Sequence, residues 1–211
     1  MAASFQVTAG HPVLDLVNTL DNRFVESGPT ELLVEYADLL RFAQECAVID
    51  PSQRQVLAAR QDSRAARDTL RAARELREAL AHLFYGTDGA GAGRMTTAIT
   101  TLERHCLAAD SHRHLVLTSS TAEGVAEIPR FASGWGASAD RCELPVWILA
   151  GMARDLLVSP ATQHVHMCQS STCKWLFLDT SKNHSRRWCD MKVCGNRMKA
   201  RRFQRRRATH S

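Results

Sequence analysis

The chain has 211 residues, 45% of them hydrophobic, and a formal net charge of +5 at pH 7. This length and composition suffice for a real core, so we expect a soluble globular protein. No segment approaches the roughly 18 consecutive apolar residues of a membrane span. The first residues also lack the charged start and long apolar run of a signal peptide, so we expect a cytoplasmic protein.

The charge is divided unevenly along the chain. Residues 164–211 contain twelve Lys or Arg and only two acidic residues, a balance of +10, whereas residues 1–163 have a balance of −5. An acidic body with a basic end is typical of a polyanion-binding module carried by a separate domain. We therefore predict one domain over residues 1–160 and a second over residues 164–211.

The first two thirds of the chain are predicted to be mainly helical. The evidence is apolar residues at helical spacing, prolines at helix starts and a segment rich in favourable helix formers. In chain order we expect a short buried helix from Val13 that ends near Asp21, a helix opened by Pro29, a helix from about Ser52 to Tyr85, a glycine-rich loop at 86–93 and a helix around 95–108.

The rest of this region combines a predicted hairpin with an apolar helix. His114 to Thr118 has the pattern of a strand, and residues 126–131 could pair with it. Pro145 then starts an apolar helix over 146–158. The fold class is therefore predicted to be mainly α, a multihelical N-terminal domain with a small β-hairpin.

The seven cysteines fall into two groups. Cys46, Cys106 and Cys142 are isolated, and we expect them to be small buried apolar residues. In a reducing compartment, regularly spaced cysteines are more often metal ligands than disulfide partners. The remaining four form two Cys-x4-Cys pairs separated by fifteen residues: Cys168, Cys173, Cys189 and Cys194.

The two cysteine pairs predict a structural zinc site. Zinc takes four ligands in a tetrahedral array, and two short turns supply two thiolates each. Residues 174–179 between the pairs have the pattern of a strand, and Asp190 is placed to cap a helix beginning near Met191. We expect a zinc-ribbon or treble-clef-like finger that holds one zinc ion. Because a Cys3His site is also normal chemistry, three histidines remain alternative ligands: His164, His166 and His184.

The second cysteine pair leads into a strongly basic segment that is predicted to be helical. Like charges one turn apart destabilise an isolated helix, so this density indicates an anionic partner such as a phosphate backbone. Asn196 could read a base in a major groove or, equally, act as a local cap beside Gly195. The candidate DNA contacts are Arg186, Arg187, Asn196, Arg197, Lys199, Arg201, Arg202, Arg205 and Arg206.

Two tryptophans flank the cysteine pairs. Trp175 and Trp188 are expected to cover the metal-bound sulfurs and form a small core rather than to stack on bases. RNA is the alternative partner of the basic segment, because charge does not distinguish it from DNA. An enzyme is the weakest hypothesis, since four thiolates leave no open metal position and no phosphate loop or nucleophile motif is found.

A polar cluster near the N-terminus forms a candidate pocket for a small-molecule effector. Its members are His11, Asp15, Asn18 and Arg23. The alternative is that Asp15 and Asn18 satisfy buried backbone groups at a helix end. An acidic helical body ahead of a DNA-binding module is suited to act as a sensor or a dimerisation unit. The protein could therefore form a homodimer.

Residues near the C-terminus resemble the bacterial CGNR zinc fingers, over about residues 168–202. The resemblance rests on the segments 175–183, 186–189 and 194–197, followed by Lys199 and Arg201. Residues 10–19 and, more weakly, 36–39 resemble the ABATE domain of stress-induced transcription regulators. The resemblance implies zinc held by Cys168, Cys173, Cys189 and Cys194, together with a DNA-binding role in transcription regulation.

Overall fold

The computed structural model describes residues 4–86, 92–118, 130–200 and 204. Within these ranges the protein is mainly α-helical, as predicted, and three two-stranded antiparallel sheets connect or follow the helices. None of the described helices is long and apolar enough to cross a membrane. The helices and strands are α1 (Pro12–Asn18), β1 (Leu20–Asp21), β2 (Thr30–Glu31), α2 (Tyr36–Glu45), α3 (Pro51–Ala58), α4 (Arg64–Tyr85), α5 (Ala92–Asp110), β3 (His114–Leu117), β4 (Phe131–Gly134), α6 (Leu144–Val158), β5 (Val165–Met167) and β6 (Leu176–Leu178).

Three shorter helical turns complete the described part of the chain. Two 3-10 turns, Gly136–Asp140 and Pro160–His164, flank α6. A π-helical turn over Met191–Gly195 leads directly into α-helical residues 196–200, which we call the basic helix. The strands pair as β1 with β2, β3 with β4, and β5 with β6.

The core lies between α1, α2, α4 and α6. Along α4, Ala73, Leu76 and Leu80 recur at helical spacing and are fully buried, so one stripe of this long helix faces inward. Each fully buried leucine contributes on the order of 1.5–3 kcal/mol of transfer free energy. The same cluster of buried residues continues into the C-terminal segment through Leu176 and Phe177. The helical body and the cysteine-containing segment therefore share one core.

The isolated cysteines behave as predicted. Cys46, Cys106 and Cys142 are buried free thiols with exposed fractions of 8%, 6% and 3%. Burial raises the pKa of Cys46 well above its usual range and also raises the pKa of Cys106. These three thiols are therefore packing residues of the body.

The prediction of a helix from Pro29 is wrong at its start. Thr30 and Glu31 form β2, which pairs with β1, and the Glu31 carboxylate is bound by Arg77 at 2.6 and 2.8 Å. The helix begins only at Tyr36, where the Asp38 carboxylate accepts the backbone N–H groups of residues 34 and 35. A long-range ion pair and a local cap thus override the apolar spacing.

The single helix predicted from Ser52 to Tyr85 is divided into α3 and α4. Asp50 caps α3 by accepting the Gln53 N–H at 2.8 Å, and Ser63 caps α4 by accepting the Ala66 N–H at 3.0 Å. Serine and aspartate favour such caps over helix interiors because their short side chains bond the backbone. The intervening residues 59–63 therefore form turns, and the two helices are separate.

The predicted hairpin is present with a shifted partner. β3 lies where the strand pattern placed it, but it pairs with Phe131–Gly134 in the register Leu117↔Phe131. Most of the expected partner, residues 126–129, lies outside the described residues, as does most of the predicted glycine-rich loop. The predicted helices around 95–108 and 146–158 are confirmed as α5 and α6.

Candidate metal centre and nucleic-acid interface

The first cysteine pair lies on a turn that precedes β6. Cys168 N–H donates to Trp175 O at 2.8 Å, and Cys173 N–H donates to Ser170 O at 3.3 Å. Lys174 adopts a φ of 62°, a left-handed conformation that is uncommon outside glycine. The chain therefore reverses tightly here, so that both sulfurs of the pair point to the same side.

The second cysteine pair spans the start of the π-helical turn: Cys189 lies two residues before the turn and Cys194 lies within it. The Asp190 carboxylate caps it by accepting the N–H groups of Lys192 at 2.6 Å and Val193 at 2.9 Å. Cys194 and Gly195 N–H both donate to Asp190 O, so the turn is wider than an α-helical one. The prediction of a helix capped by Asp190 is confirmed in position, and the π geometry is an addition that the sequence pattern did not indicate.

The four cysteine sulfurs form one cluster, with every pair within 4.8 Å. The Sγ atoms of Cys173 and Cys189 are 3.5 Å apart, and those of Cys189 and Cys194 are 3.7 Å apart. These separations exceed a disulfide bond of about 2.0 Å. Four sulfurs at about 2.3 Å from a tetrahedral zinc ion would lie about 3.8 Å apart. The cluster fits the size of a tetrahedral Zn(Cys)4 site.

The four cysteines of the cluster change one another's pKa values. The hydrogen bond with Cys168 raises the pKa of Cys173 to about 12 and raises that of Cys189, while burial raises the pKa of Cys194. Hydrogen bonds from the thiols of Cys173 and Cys189 lower the pKa of Cys168 to about 2. One thiolate is thus stabilised by its neighbours, and four thiolates require the charge of a metal ion.

The three alternative histidine ligands lie outside the cluster. The rings of His164 and His184 stack with centroids 3.7 Å apart, and His184 Nδ1 lies 3.0 Å from Asp179 O. His166 packs beside Phe177. Among the described residues, the four cysteines form the group of His, Cys, Asp and Glu side chains that could hold an ion.

We call residues 164–200 the finger. Several hydrogen bonds, from both main-chain and side-chain groups, join the finger to the helical body. Asn18 on α1 binds Leu176 twice, donating to its carbonyl and accepting from its N–H, both at 2.9 Å. Leu178 N–H donates to Ala9 O at 2.7 Å. Trp175 Nε1 donates to the Asp21 carboxylate at 2.8 Å. Sequence patterns gave no sign of these contacts, because their partners lie more than 150 residues apart.

The candidate effector pocket is not assembled as one site. His11 caps α1 by accepting the Val13 N–H, while Arg23 forms an ion pair with Glu78. Asp15 accepts the N–H groups of residues 8 and 9, each at 3.0 Å. Asp15 and Asn18 border a cavity of about 10 Å³, and His11 and Arg23 do not line it. Asp15 and Asn18 instead bind buried backbone groups, which is the alternative interpretation of these two residues.

Arg186 differs from the expectation of a DNA contact. Its guanidinium donates to the carbonyls of Trp188 and Cys189 and, at 3.3 Å, to Thr8 O. It also lies over the Phe177 ring, 4.7 Å from the centroid. Arg186 is therefore a cross-link between the second cysteine turn and the body, and its charge is directed inward.

The polar side chains at the start of the basic helix face outward. Asn196, Arg197 and Lys199 are exposed, and the Asn196 carboxamide has no hydrogen-bond partner among the described residues. Arg187 is exposed as well and donates to Gln169 at 2.7 Å. Lys192 on the π-helical turn is an exposed cation that was not among the candidates. Four candidates lie outside the described residues: Arg201, Arg202, Arg205 and Arg206.

The tryptophans predicted to cover the sulfurs are partly buried against the core. Trp188 lies against the π-helical turn, where a Cβ added to Gly195 would be 3.2 Å from Trp188 Cδ1. Trp175 is fixed by its bond to Asp21. A Cβ at position 195 would meet the Met191 sulfur even more closely, so glycine allows both Met191 and Trp188 to pack against the Cys194 turn.

These features define a helical protein with a C-terminal four-cysteine metal-binding finger that opens a basic helix. Comparison with family models gives two matches, the CGNR zinc finger over residues 164–207 and the ABATE family over residues 10–160, described as "Putative stress-induced transcription regulator". The chain belongs to the ABATE family and carries a CGNR zinc finger. A search of curated proteins gave no match.

Proposed function

We propose that the protein is a zinc-dependent, DNA-binding transcription regulator of the stress-induced type. The observation that carries the proposal is the position of the four-sulfur cluster at the start of the basic helix, where Arg197 and Lys199 are exposed. A bound Zn²⁺ would supply four thiolate bonds that join the two cysteine turns. The family descriptions support regulation and a zinc finger.

Each part of the finger has a distinct task in this proposal. Cys168, Cys173, Cys189 and Cys194 hold one structural zinc ion, and Asp190 and Gly195 shape the turn that opens the basic helix. Arg187, Arg197 and Lys199 contact phosphates, which gives affinity without sequence choice. Asn196, which is exposed and has no hydrogen-bond partner within the described part of the chain, is the candidate for reading a base edge in the major groove of double-stranded DNA.

The helical body has the regulatory task. We propose that it receives an effector or forms a homodimer, and that the protein acts in the cytoplasm, where reducing conditions preserve free thiols. Four thiolate ligands leave no open coordination position, so the metal is assigned no catalytic role and the protein is proposed not to be an enzyme.

The charge contacts can be tested with two single variants and a matched control. Arg197→Ala and Lys199→Ala should each weaken binding to duplex DNA several-fold and lower the dependence of log affinity on log salt by about one. Arg64→Ala removes a side chain that is 90% exposed on α4, remote in sequence from the finger, and should change neither value. Fluorescence anisotropy over a series of salt concentrations gives both quantities.

The same assay distinguishes DNA from RNA. Unlabelled duplex DNA and structured RNA are added as competitors at matched salt to the zinc-loaded protein. The proposal predicts that DNA competes better. Stronger competition by RNA would favour an RNA-binding finger, and equal binding by all three variants would contradict the assignment of the basic helix.

A further inference from the structure

The helical body covers the edge of β6 that faces away from β5. Trp175 and Asp179 bond toward the β5 side, to Cys168 and His164. Leu176 and Leu178 alternate with these residues, so their backbone groups point away from β5. In an isolated finger the backbone groups on this outer edge of β6 would have no partner. Here the Asn18 carboxamide binds both groups of Leu176, and Ala9 O accepts the Leu178 N–H.

The Asn18 contact is buried and chemically specific. Asn18 is 3% exposed and Leu176 is 2% exposed, so water cannot replace the bonds. A carboxamide provides one donor and one acceptor in the geometry that an extended residue presents at its edge. Aspartate keeps the acceptor and lacks the donor, and leucine lacks both. A change at Asn18 therefore leaves one or two buried backbone groups without a partner.

Further contacts connect the body to the first cysteine turn itself. Trp175, two residues after Cys173, is held by Asp21, and the Lys174 carbonyl accepts the Tyr85 hydroxyl at 3.2 Å. Gly10, with a φ of 77°, lets the chain pass close to Leu178 O. Both the strand and the cysteine turn are thus fixed from outside the finger.

We infer that α1 and residues 8–10 act as a clamp on the finger, with Asn18 as the positioning residue that couples the zinc site to the helical body. The inference rests on the metal-binding part of the proposed function and goes beyond it. Coupling of this kind is reciprocal: a loosened clamp weakens zinc retention, and zinc removal destabilises α1. Through this coupling, effector binding or dimerisation of the helical body would change the orientation of Arg197 and Lys199.

The test measures zinc release from the full-length protein. Bound zinc is first quantified, and its release into excess chromogenic chelator is then followed at a temperature where far-UV circular dichroism shows the helices folded. Asn18→Leu should release zinc about tenfold faster or more, with Asn18→Asp in between. Should Asn18→Leu fail to fold, Asn18→Asp carries the comparison.

Two controls separate clamping from general instability. Leu57→Ala removes a fully buried side chain of α3, whose main contacts are with α2 and the 3-10 turn at 136–140. It lowers the melting temperature but should leave zinc release within about twofold, because release proceeds through local opening of the finger. Asn183→Ala removes an exposed amide within the finger and should have no effect.

A second measurement reports the coupling directly. Chelation should lower the melting temperature of the helical signal in the wild type, and lower it less in Asn18→Leu. Release rates that are equal in Asn18→Leu and the wild type would overturn the clamp, as would an equal acceleration in Leu57→Ala. A wild-type protein that binds no zinc would overturn both the clamp and the proposed function.

Discussion

At the scale of single residues, Asp15 serves the fold rather than a ligand. Its carboxylate is 4% exposed and accepts the backbone N–H groups of Thr8 and Ala9. Burial raises the pKa of Asp15 to about 6, although these two bonds oppose the shift. The folded protein therefore binds a proton at Asp15 more tightly than the unfolded chain does.

This shift has a defined consequence for stability against pH. Because the folded-state pKa is raised, the free energy of unfolding should fall as pH rises from about 4 to 6, and Asp15→Asn should remove that fall. We expect Asp15→Asn to be more stable than the wild type by about 2–3 kcal/mol at pH 7.5, and by close to zero at pH 4. Urea unfolding at a series of pH values measures both.

A matched substitution tests the cause. Asp15→Leu removes the charge but leaves the N–H groups of Thr8 and Ala9 unpaired, so it should be less stable than Asp15→Asn at every pH. A stability difference between Asp15→Asn and the wild type that does not change between pH 4 and 7.5 would contradict the account.

At the scale of elements, the π-helical turn joins the metal centre to the basic helix. Asp190 Oδ1 accepts two N–H groups of this turn, and Cys194 follows four residues later in the cluster. The cap and the ligand therefore act on the same short segment. Stabilising its first residues fixes the direction in which Arg197 leaves the finger.

We expect Asp190→Ala to destabilise this turn by about 1 kcal/mol, the usual cost of losing a side-chain cap. The effect should appear as faster amide exchange at Lys192 and Val193 in the zinc-loaded protein. Asp190→Asn retains a capping oxygen and should restore most of the protection. If Asp190→Ala leaves exchange at both amides unchanged, the cap does not determine the order of the turn.

The sequence predicted most elements whose signals are local. α5, α6, β3 and the two cysteine turns follow from apolar spacing, Pro145 and the Cys-x4-Cys pairs. The late start of α2 and the Asn18 contact could not be predicted in this way, because Glu31 finds Arg77, and Asn18 finds Leu176, only in the folded chain. Arg186 was predicted to contact DNA for the same reason. Local sequence does not distinguish an arginine exposed at the surface from one that joins two segments inside the protein.

At the scale of the whole molecule, the division of charge coexists with a shared core. The acidic helical body and the basic finger differ in composition, yet Leu176, Phe177 and three of the clustered cysteines belong to the same buried cluster as α1 and α6. In the proposed regulator a signal need not pass through a linker, because the finger packs directly on the helical body.

The most direct test of the central claim, that a zinc-ordered finger binds DNA, is selection of fragments from the native genome by the zinc-loaded protein. The selection is repeated in parallel with Cys194→Ser, which should lose about one equivalent of zinc and the order of the basic helix. We predict that the wild-type protein enriches a discrete set of fragments and that Cys194→Ser does not. Equal enrichment of the same fragments by both proteins would contradict the account.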